Sequence, residues 1–323
     1  MRIAIIGAGA IGGLLAGRLA AAGEDVTVVV RGAQKDAIAS RGLTITGLPE
    51  GLVETRPKVA GDIGSAGPQD LIILGMKAHQ VGAVAAQVRA ALTPQTLVMT
   101  AQNGIPWWYF MKTGGAYEGR RLESVDPGGV VSDNLPIDQV IGSVVYPAAE
   151  LVEPGRIHFI EGERFSLAEI DQSKSERIAA VSEILTRAGF KAPVSSDLRG
   201  EIWTKLWGNL SFNPISALTG ATLAGICRHA EGRELAADMM REAQAVGEAL
   251  GVRFRISLEK RIAGAQAVGE HKTSMLQDVL AGRQTEIDAL VGSIVELGEV
   301  VGAPTPRIKA LYACVKLLEA SRA

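Results

Sequence analysis

The sequence predicts an α/β chain: an N-terminal doubly wound sheet followed by an all-helical C-terminal domain. Three observations carry that expectation. A short apolar run at the start, Met1 to Ile6, passes into a glycine-spaced turn, a helix-like stretch and a second apolar run. Later runs such as Asp70-Leu-Ile-Ile-Leu74 and Thr96-Leu-Val-Met-Thr100 are continuously apolar, as strands buried on both faces of a parallel sheet are. Beyond Ser196 the strand-like runs stop and helical periodicity takes over, which indicates two domains. The 323 residues are enough for two cores, and the expected division is 1–196 and 197–323.

The first unit is the most informative. The opening strand leads into Gly7-Ala8-Gly9-Ala10-Ile11-Gly12, then a helix from Leu14 to Ala22 and a strand from Val26 to Val30. In this context G-x-G-x-x-G reads as a dinucleotide-binding turn. Gly7 allows the tight turn, Gly9 leaves room for a pyrophosphate, and Gly12 lets helix and strand pack closely, while the helix N-terminus offers N–H groups to phosphate. A turn used only for packing is the alternative. Arg31 follows the second strand, where a carboxylate would bind the ribose hydroxyls of NAD; Glu24 and Asp25 lie at the strand's other end. A guanidinium suits a 2′-phosphate, so the expected cofactor is NADPH. An ordinary exposed charge is the other reading of Arg31.

Short strands are expected at Leu43 to Thr46 and near Lys58-Val59, and a helix from Val81 to Leu92. From Gly104 to Gly129 the pattern lapses into a long loop holding two of the four Trp and two of the four Tyr. Adjacent Trp107 and Trp108 favour order there. Strand-like segments resume at Val140 to Tyr146, Arg156 to Ile160 and Arg164 to Leu167, then a helix from Ser175 to Ala188 and a strand from Lys191 to Val194. In the second domain the pattern predicts helices over Asp197–Ala217, Arg233–Leu250, Ser257–Ala267, Ser274–Ala281 and Thr285–Val301, with one more after Pro306.

Composition narrows the function. Apolar residues make up 47% and charged ones 21%, and the net charge of −2 provides no general field for nucleic acid or an anionic membrane. No apolar run has the length of a membrane span, and the opening strand lacks a basic leader, so a cytoplasmic protein is expected. Cys227 and Cys314 read as buried thiols, and four scattered histidines give no metal motif.

Chemistry points to the helix opening the second domain. Lys205, Asn209 and Asn213 fall at i, i+4 and i+8, one stripe on a surface otherwise made apolar by Trp203, Leu206, Trp207 and Leu210. Asparagine is a poor helix former, so the stripe either faces a cleft or is a set of polar groups satisfied by neighbouring backbone or solvent. Ser274 heads a capping-box pattern with Gln277, which makes it a helix cap and also a candidate contact for a substrate carboxylate. Glu286 stands in a first helical turn, with Thr285 and Asp288 as candidate caps. Lys77 and Asn103 follow sheet strands at their carboxyl ends, the edge where doubly wound sheets hold ligands.

The ordered set GAGAIG, an arginine after the second strand, K-A-x-Q, Q-N-G, W-x-K-L-x-x-N-x-x-x-N-P, S-M-L-Q-D and T-E-I-D resembles the ketopantoate reductase family over nearly the whole chain. The resemblance implies a Rossmann-type domain, a helical domain, an active site between them, and reduction of 2-dehydropantoate to (R)-pantoate by NADPH in the route to pantothenate and coenzyme A. It assigns Lys205 as the general acid and Glu286 as the acidic group near that lysine, the substrate and the cofactor. Ser274, Asn209 and Asn213 become substrate contacts. Asn103 and Lys77 stand where cofactor and substrate meet, with Gly7 to Gly12 and Arg31 on the cofactor. The family pattern has a further asparagine past Asn213 where this chain has Leu223, and the aromatic loop is longer. Two other readings stay open: reduction of another branched or aromatic 2-oxo acid accommodated by the Trp107–Trp108 loop, and a dinucleotide sensor without turnover. The apolar second domain is compatible with a homodimer.

Overall fold

A computed structural model describes residues 1–322. They form two compact units. One comprises 1–102, 110–121 and 128–198; the other comprises 103–109, 122–127 and the chain from 199 onward. The second unit therefore takes two segments from the middle of the sequence as well as the helical C-terminal part.

The first unit holds eleven strands: β1 (Arg2–Ile6), β2 (Asp25–Val29), β3 (Leu43–Leu48), β4 (Gly51–Thr55), β5 (Lys58–Ala60), β6 (Leu71–Leu74), β7 (Leu97–Thr100), β8 (Val140–Val145), β9 (Ala148–Glu153), β10 (Arg156–Glu161) and β11 (Phe165–Glu169). Its helices are α1 (Ala10–Ala21), α2 (Gly32–Arg41), α3 (Gly82–Ala91), α4 (Val130–Asn134) and α5 (Glu176–Arg187). The main sheet runs β11-β8-β7-β6-β1-β2-β5, parallel throughout except for β11 at one edge. Every residue of β6, β7 and β8 is buried, which is why those runs are apolar without alternation.

A second sheet, β4-β3-β10-β9, was not foreseen as a separate layer. Its edge strands β4 and β9 are mostly exposed and mix apolar with charged residues without a regular alternation, so they carry little strand signal. Helix α1 packs against strands of both sheets. That explains its burial on nearly every side and its glycines: a Cβ at Gly13 would lie 2.6 Å from Ile157 Cδ1, and one at Gly17 would lie 2.5 Å from Ile45 Cδ1. The buried Arg18 completes this layer by donating to the Gly189 carbonyl at 2.9 Å, pairing with Glu50 and lying over the Phe190 ring.

Three differences from the sequence reading have simple causes. Helix α1 begins at Ala10 rather than near Leu14, because the small residues of the glycine turn already form its first turn. Helix α2 shows no apolar stripe, only Ala37 and Ile38 being buried. Lys191 to Val194 is not a strand; it makes isolated bridges to Arg164 and Leu167, and Pro193 cannot donate to a ladder.

In the second unit lie α6 (Leu198–Thr219), α7 (Leu223–Arg228), α8 (Ala230–Ala249), α9 (Leu258–Ala267), α10 (Ser274–Leu280), α11 (Ser293–Val301) and α12 (Pro306–Ala320). Helix α6 buries Trp203, Leu206, Trp207 and Leu210. Phe254 packs against both indoles, whose N–H groups donate to Tyr109 Oη and to the Met240 carbonyl, each at 2.7 Å. The stretch from Gly104 into the 120s is made of turns, yet Trp107, Trp108, Tyr109, Leu122 and Val125 are buried, so it is ordered as expected.

Thr273, not Ser274, caps α10: its hydroxyl accepts from the Leu276 N–H at 3.2 Å, and Ser274 is the exposed first helical residue. The segment expected as one helix over Thr285–Val301 contains a π-helical turn, Asp288–Gly292, before α11. The short α7 starts at Leu223 and was not anticipated. Cys227 is buried as expected, whereas Cys314 is exposed on α12. Among the described residues, no helix is long and apolar enough to cross a membrane, and no group of three or more His, Cys, Asp or Glu could hold a metal ion.

Candidate active site

In the first unit, β1, β2, β6 and β7 are parallel, so the residues following them share one edge of the sheet. The chain leaves β1 towards β2 on one side, and β6 takes up the other, making a topological switch point at β1. The glycine turn sits there. Gly7 has φ of 89°, and its N–H donates to the Val29 carbonyl at 3.0 Å. A Cβ at Gly12 would fall 1.9 Å from the Gly7 carbonyl oxygen, so the helix can approach the turn only as glycine. The α1 ladder begins with Gly13 N–H to the Gly9 carbonyl at 2.8 Å, leaving the N–H groups of Ala10, Ile11 and Gly12 ahead of it without intrahelical acceptors. Gly9 is exposed, with open space where a side chain would stand. Ala8 is buried, and its carbonyl is braced by the Gln34 amide, which also accepts from Gly155 N–H at 3.0 Å.

Arg31 is exposed at the start of α2, its Nε 3.4 Å from the Gly61 carbonyl. Lys35, one helical turn on, brings its ammonium to the same glycine. Sequence reading missed Lys35 and Gln34 because α2 itself was not legible. Lys77 is half-buried after β6, its N–H donating to Gln80 Oε1 at 3.2 Å, which accounts for the glutamine of K-A-x-Q. Gln102 donates to the Leu74 and Met76 carbonyls at 2.6 and 3.1 Å, tying the end of β7 to the loop that carries Lys77.

The second unit gathers a different set. Lys205, on α6, donates to Asn103 Oδ1. Crowding by protein atoms strips water from this half-buried ammonium and lowers its pKa from 10.5 to about 8, against the opposing pull of the Glu286 carboxylate. Asn103 is held in place by the turn that begins at Gly104. Gly104 adopts φ of 89°, and a Cβ there would lie 2.2 Å from the Ala289 carbonyl oxygen; next to it Ile105 N–H donates to that same oxygen at 3.0 Å. Glycine is thus required by conformation and by space together. The Ala289 oxygen can take this bond because Ser293 N–H reaches back to Asp288 in the π turn, so it does not close an α-helical bond on Ala289.

Asn209 and Asn213 continue the Lys205 stripe along α6, the first half-buried and the second buried. Ser274 opens α10 and Leu223 opens α7. Thr285 and Asp288 do not cap each other, although Thr285 Oγ1 accepts from the Ile287 N–H at 3.2 Å. The N–H and hydroxyl of Thr285 both donate to Glu319, while Asp288 accepts from Tyr312 and Lys316. The structure therefore assembles Lys205, Asn103 and Glu286 in one unit and the glycine turn, Arg31 and Lys77 along the sheet edge of the other. Sequence spacing alone could not have found the Ala289 carbonyl or the α12 partners, which are brought in by tertiary packing.

A glycine turn at the switch point of a doubly wound sheet and a lysine-centred cluster on a helical unit define a class of oxidoreductases. The chain matches the family model "Ketopantoate reductase PanE/ApbA" over residues 3–172 and its C-terminal counterpart over 197–319. It is 51% identical over 324 aligned positions, covering 100% of this chain and 99% of the relative, to the 2-dehydropantoate 2-reductase of Mesorhizobium japonicum. Among solved structures, a protein from Ralstonia solanacearum MolK2 superposes with a TM-score of 0.94 at 39% identity, covering 99% of this chain and 98% of the other. The 2-dehydropantoate 2-reductase of Geobacter metallireducens GS-15 does so with a TM-score of 0.85 at 26% identity and full coverage of both. The chain belongs to the ketopantoate reductase family.

Replacing Gly104 with Ala is expected to cost about 1–3 kcal/mol from left-handed strain and the clash with Ala289. The midpoint of urea unfolding measures it; an unchanged midpoint would mean the turn has freedom that this geometry denies.

Proposed function

We propose that the chain reduces 2-dehydropantoate to (R)-pantoate with NADPH, the reaction named for its 51%-identical relative. The observation that carries the reading is the ammonium of Lys205, partly desolvated and bonded to Asn103, with a pKa near the working pH of a general acid. When bound, the nicotinamide supplies hydride to the ketone carbon. Lys205 gives its Nζ proton to the ketone oxygen as charge builds there, Asn103 holds that nitrogen in one orientation, and Glu286 keeps enough of it protonated. Asn209 and Asn213 donate to substrate oxygens along the same stripe, and the Ser274 hydroxyl receives the carboxylate.

The sheet edge fits the cofactor. Three N–H groups at the head of α1 lie ahead of its hydrogen-bonded ladder beside the open face of Gly9, and they suit a pyrophosphate. Gly7, Ala8, Gly9, Ala10, Ile11 and Gly12 would line it, with Lys77 and Asn103 towards the nicotinamide and Glu286 also on the cofactor side. Arg31, with Lys35 beside Gly61, would hold the 2′-phosphate. In this reading residues 1–196 chiefly serve the cofactor and 197–323 the substrate, with 103–109 and 122–127 joined to the latter. A sensor without turnover has no use for a lysine tuned in this way. Turnover of another branched or aromatic 2-oxo acid is the competing outcome, and Leu223 is the position that bears on it; NADPH oxidation followed with a panel of 2-oxo acids decides between them.

Lys205→Ala should lower kcat by about 10²-fold or more while leaving the NADPH Kd within a few fold. Parallel loss of both would remove Lys205 from the proton-donor role. Because the donor must be protonated, kcat for reduction should be level below the Lys205 pKa and fall as pH rises through about 8. A profile flat through that range contradicts it. Arg31→Asp should weaken NADPH by about 10-fold or more and NADH far less, as loss of a charge-assisted phosphate contact requires; equal weakening of the two would reject the 2′-phosphate assignment.

A further inference from the structure

We propose that one face of α12, formed by Tyr312, Lys316 and Glu319, is a splint that positions Glu286 and, through the π-helical turn beside it, Asn103 and Lys205. The inference deepens the reductase reading and rests on it for its catalytic meaning. These three residues recur at i, i+4 and i+7 and so share one side of the helix. Glu319 accepts from the Thr285 N–H at 2.7 Å and from its hydroxyl at 2.8 Å. Asp288 accepts from Tyr312 Oη at 2.7 Å and from Lys316 Nζ at 3.1 Å. Glu286 lies between these two anchors, one residue after the first and two before the second. Its own carbonyl accepts the Leu290 N–H at 3.0 Å, so its backbone is restrained from both sides and from within.

The restraint reaches further. Asp288 heads the π turn, and its carbonyl takes the Ser293 N–H. That exchange leaves the Ala289 carbonyl to Ile105 N–H at 3.0 Å and to the Ser293 hydroxyl at 2.8 Å. Tyr312 also fills the space over Gly292, where a Cβ would come within 2.9 Å of its ring. Burial and the neighbouring Asp288 raise the Tyr312 pKa, so its hydroxyl remains a donor at every working pH. Moving α12 away would therefore disturb Glu286 directly and Asn103 through Ala289. Both groups act on Lys205, one by charge and one by hydrogen bond. None of the three α12 residues is a catalytic residue; they are positioning residues.

The test uses Tyr312→Phe and Glu319→Ala in the full-length enzyme, with Glu286→Gln as the reference. The Lys205 titration midpoint is read by competitive acetylation with acetic anhydride at a series of pH values, followed by peptide mass spectrometry. Loss of the carboxylate's support should move that midpoint down by about one pH unit in the reference and in the same direction in each splint variant. The alkaline fall in kcat should shift with it, with KM nearly constant. A midpoint identical to that of the parent in both splint variants, with only Tm lowered, overturns the proposal and leaves α12 a purely structural element. Should Glu319→Ala fail to fold, Tyr312→Phe, which removes a single hydroxyl, still decides the matter. Acetylation reads Lys205 whether or not any keto acid turns over, so absent 2-dehydropantoate turnover would defeat the reductase reading without being mistaken for failure of the splint.

Discussion

The Lys205 cluster of the helical unit depends on one close approach, that of the Gly104 backbone to the Ala289 carbonyl. A segment from the middle of the chain is joined to the C-terminal helices there through Ile105, and the preceding residue is left facing Lys205. Any side chain at position 104 would hold the two backbones apart. The π turn supplies the acceptor, and glycine supplies the room. Neither half would produce the contact alone, which is why a short turn without regular secondary structure can fix Asn103, the partner of Lys205.

Electrostatics at Lys205 is a balance of two opposed effects. Desolvation disfavours the ammonium and is the larger; Glu286 favours it and is the smaller. The result is a group that is charged below about pH 8 and neutral above it, whereas the unfolded chain keeps the same lysine charged up to its ordinary value of 10.5. The unfolded state therefore binds more protons between those limits, so this residue lowers stability below about pH 8 and the penalty is relieved as pH rises towards 10.5. A lysine whose pKa is brought down towards neutrality is thus held at some cost to the fold.

Much of this was legible in the residues. Continuous apolar runs marked the buried strands, the glycine triplet marked the switch point of the sheet, and the i, i+4 spacing marked the stripe on α6. What escaped shares one physical trait: the information lies in packing partners distant in sequence. Strands β4 and β9 are exposed edges with no apolar period, and α2 buries only two residues. The cap of α10 falls on Thr273 although only Ser274 has a glutamine three residues on; Thr273 has the extended backbone of a cap, and its hydroxyl accepts from the Leu276 N–H. The π turn is invisible to helical periodicity, since its residues are as apolar as those of an ordinary helix. The anchors from α12 went unread, because nothing local to Tyr312, Lys316 or Glu319 shows which segment they meet.

Helix α1 is wedged between two sheets, with Gly13 and Gly17 seated against Ile157 and Ile45. Its leading amides therefore cannot swing to meet an incoming anion; they are aimed before anything arrives. A guest docking at that end meets a receptor already stiff, so little of its affinity is lost to ordering polypeptide. Around a cradle held this rigidly, selectivity would be set by the residues at its mouth rather than by movement of the helix.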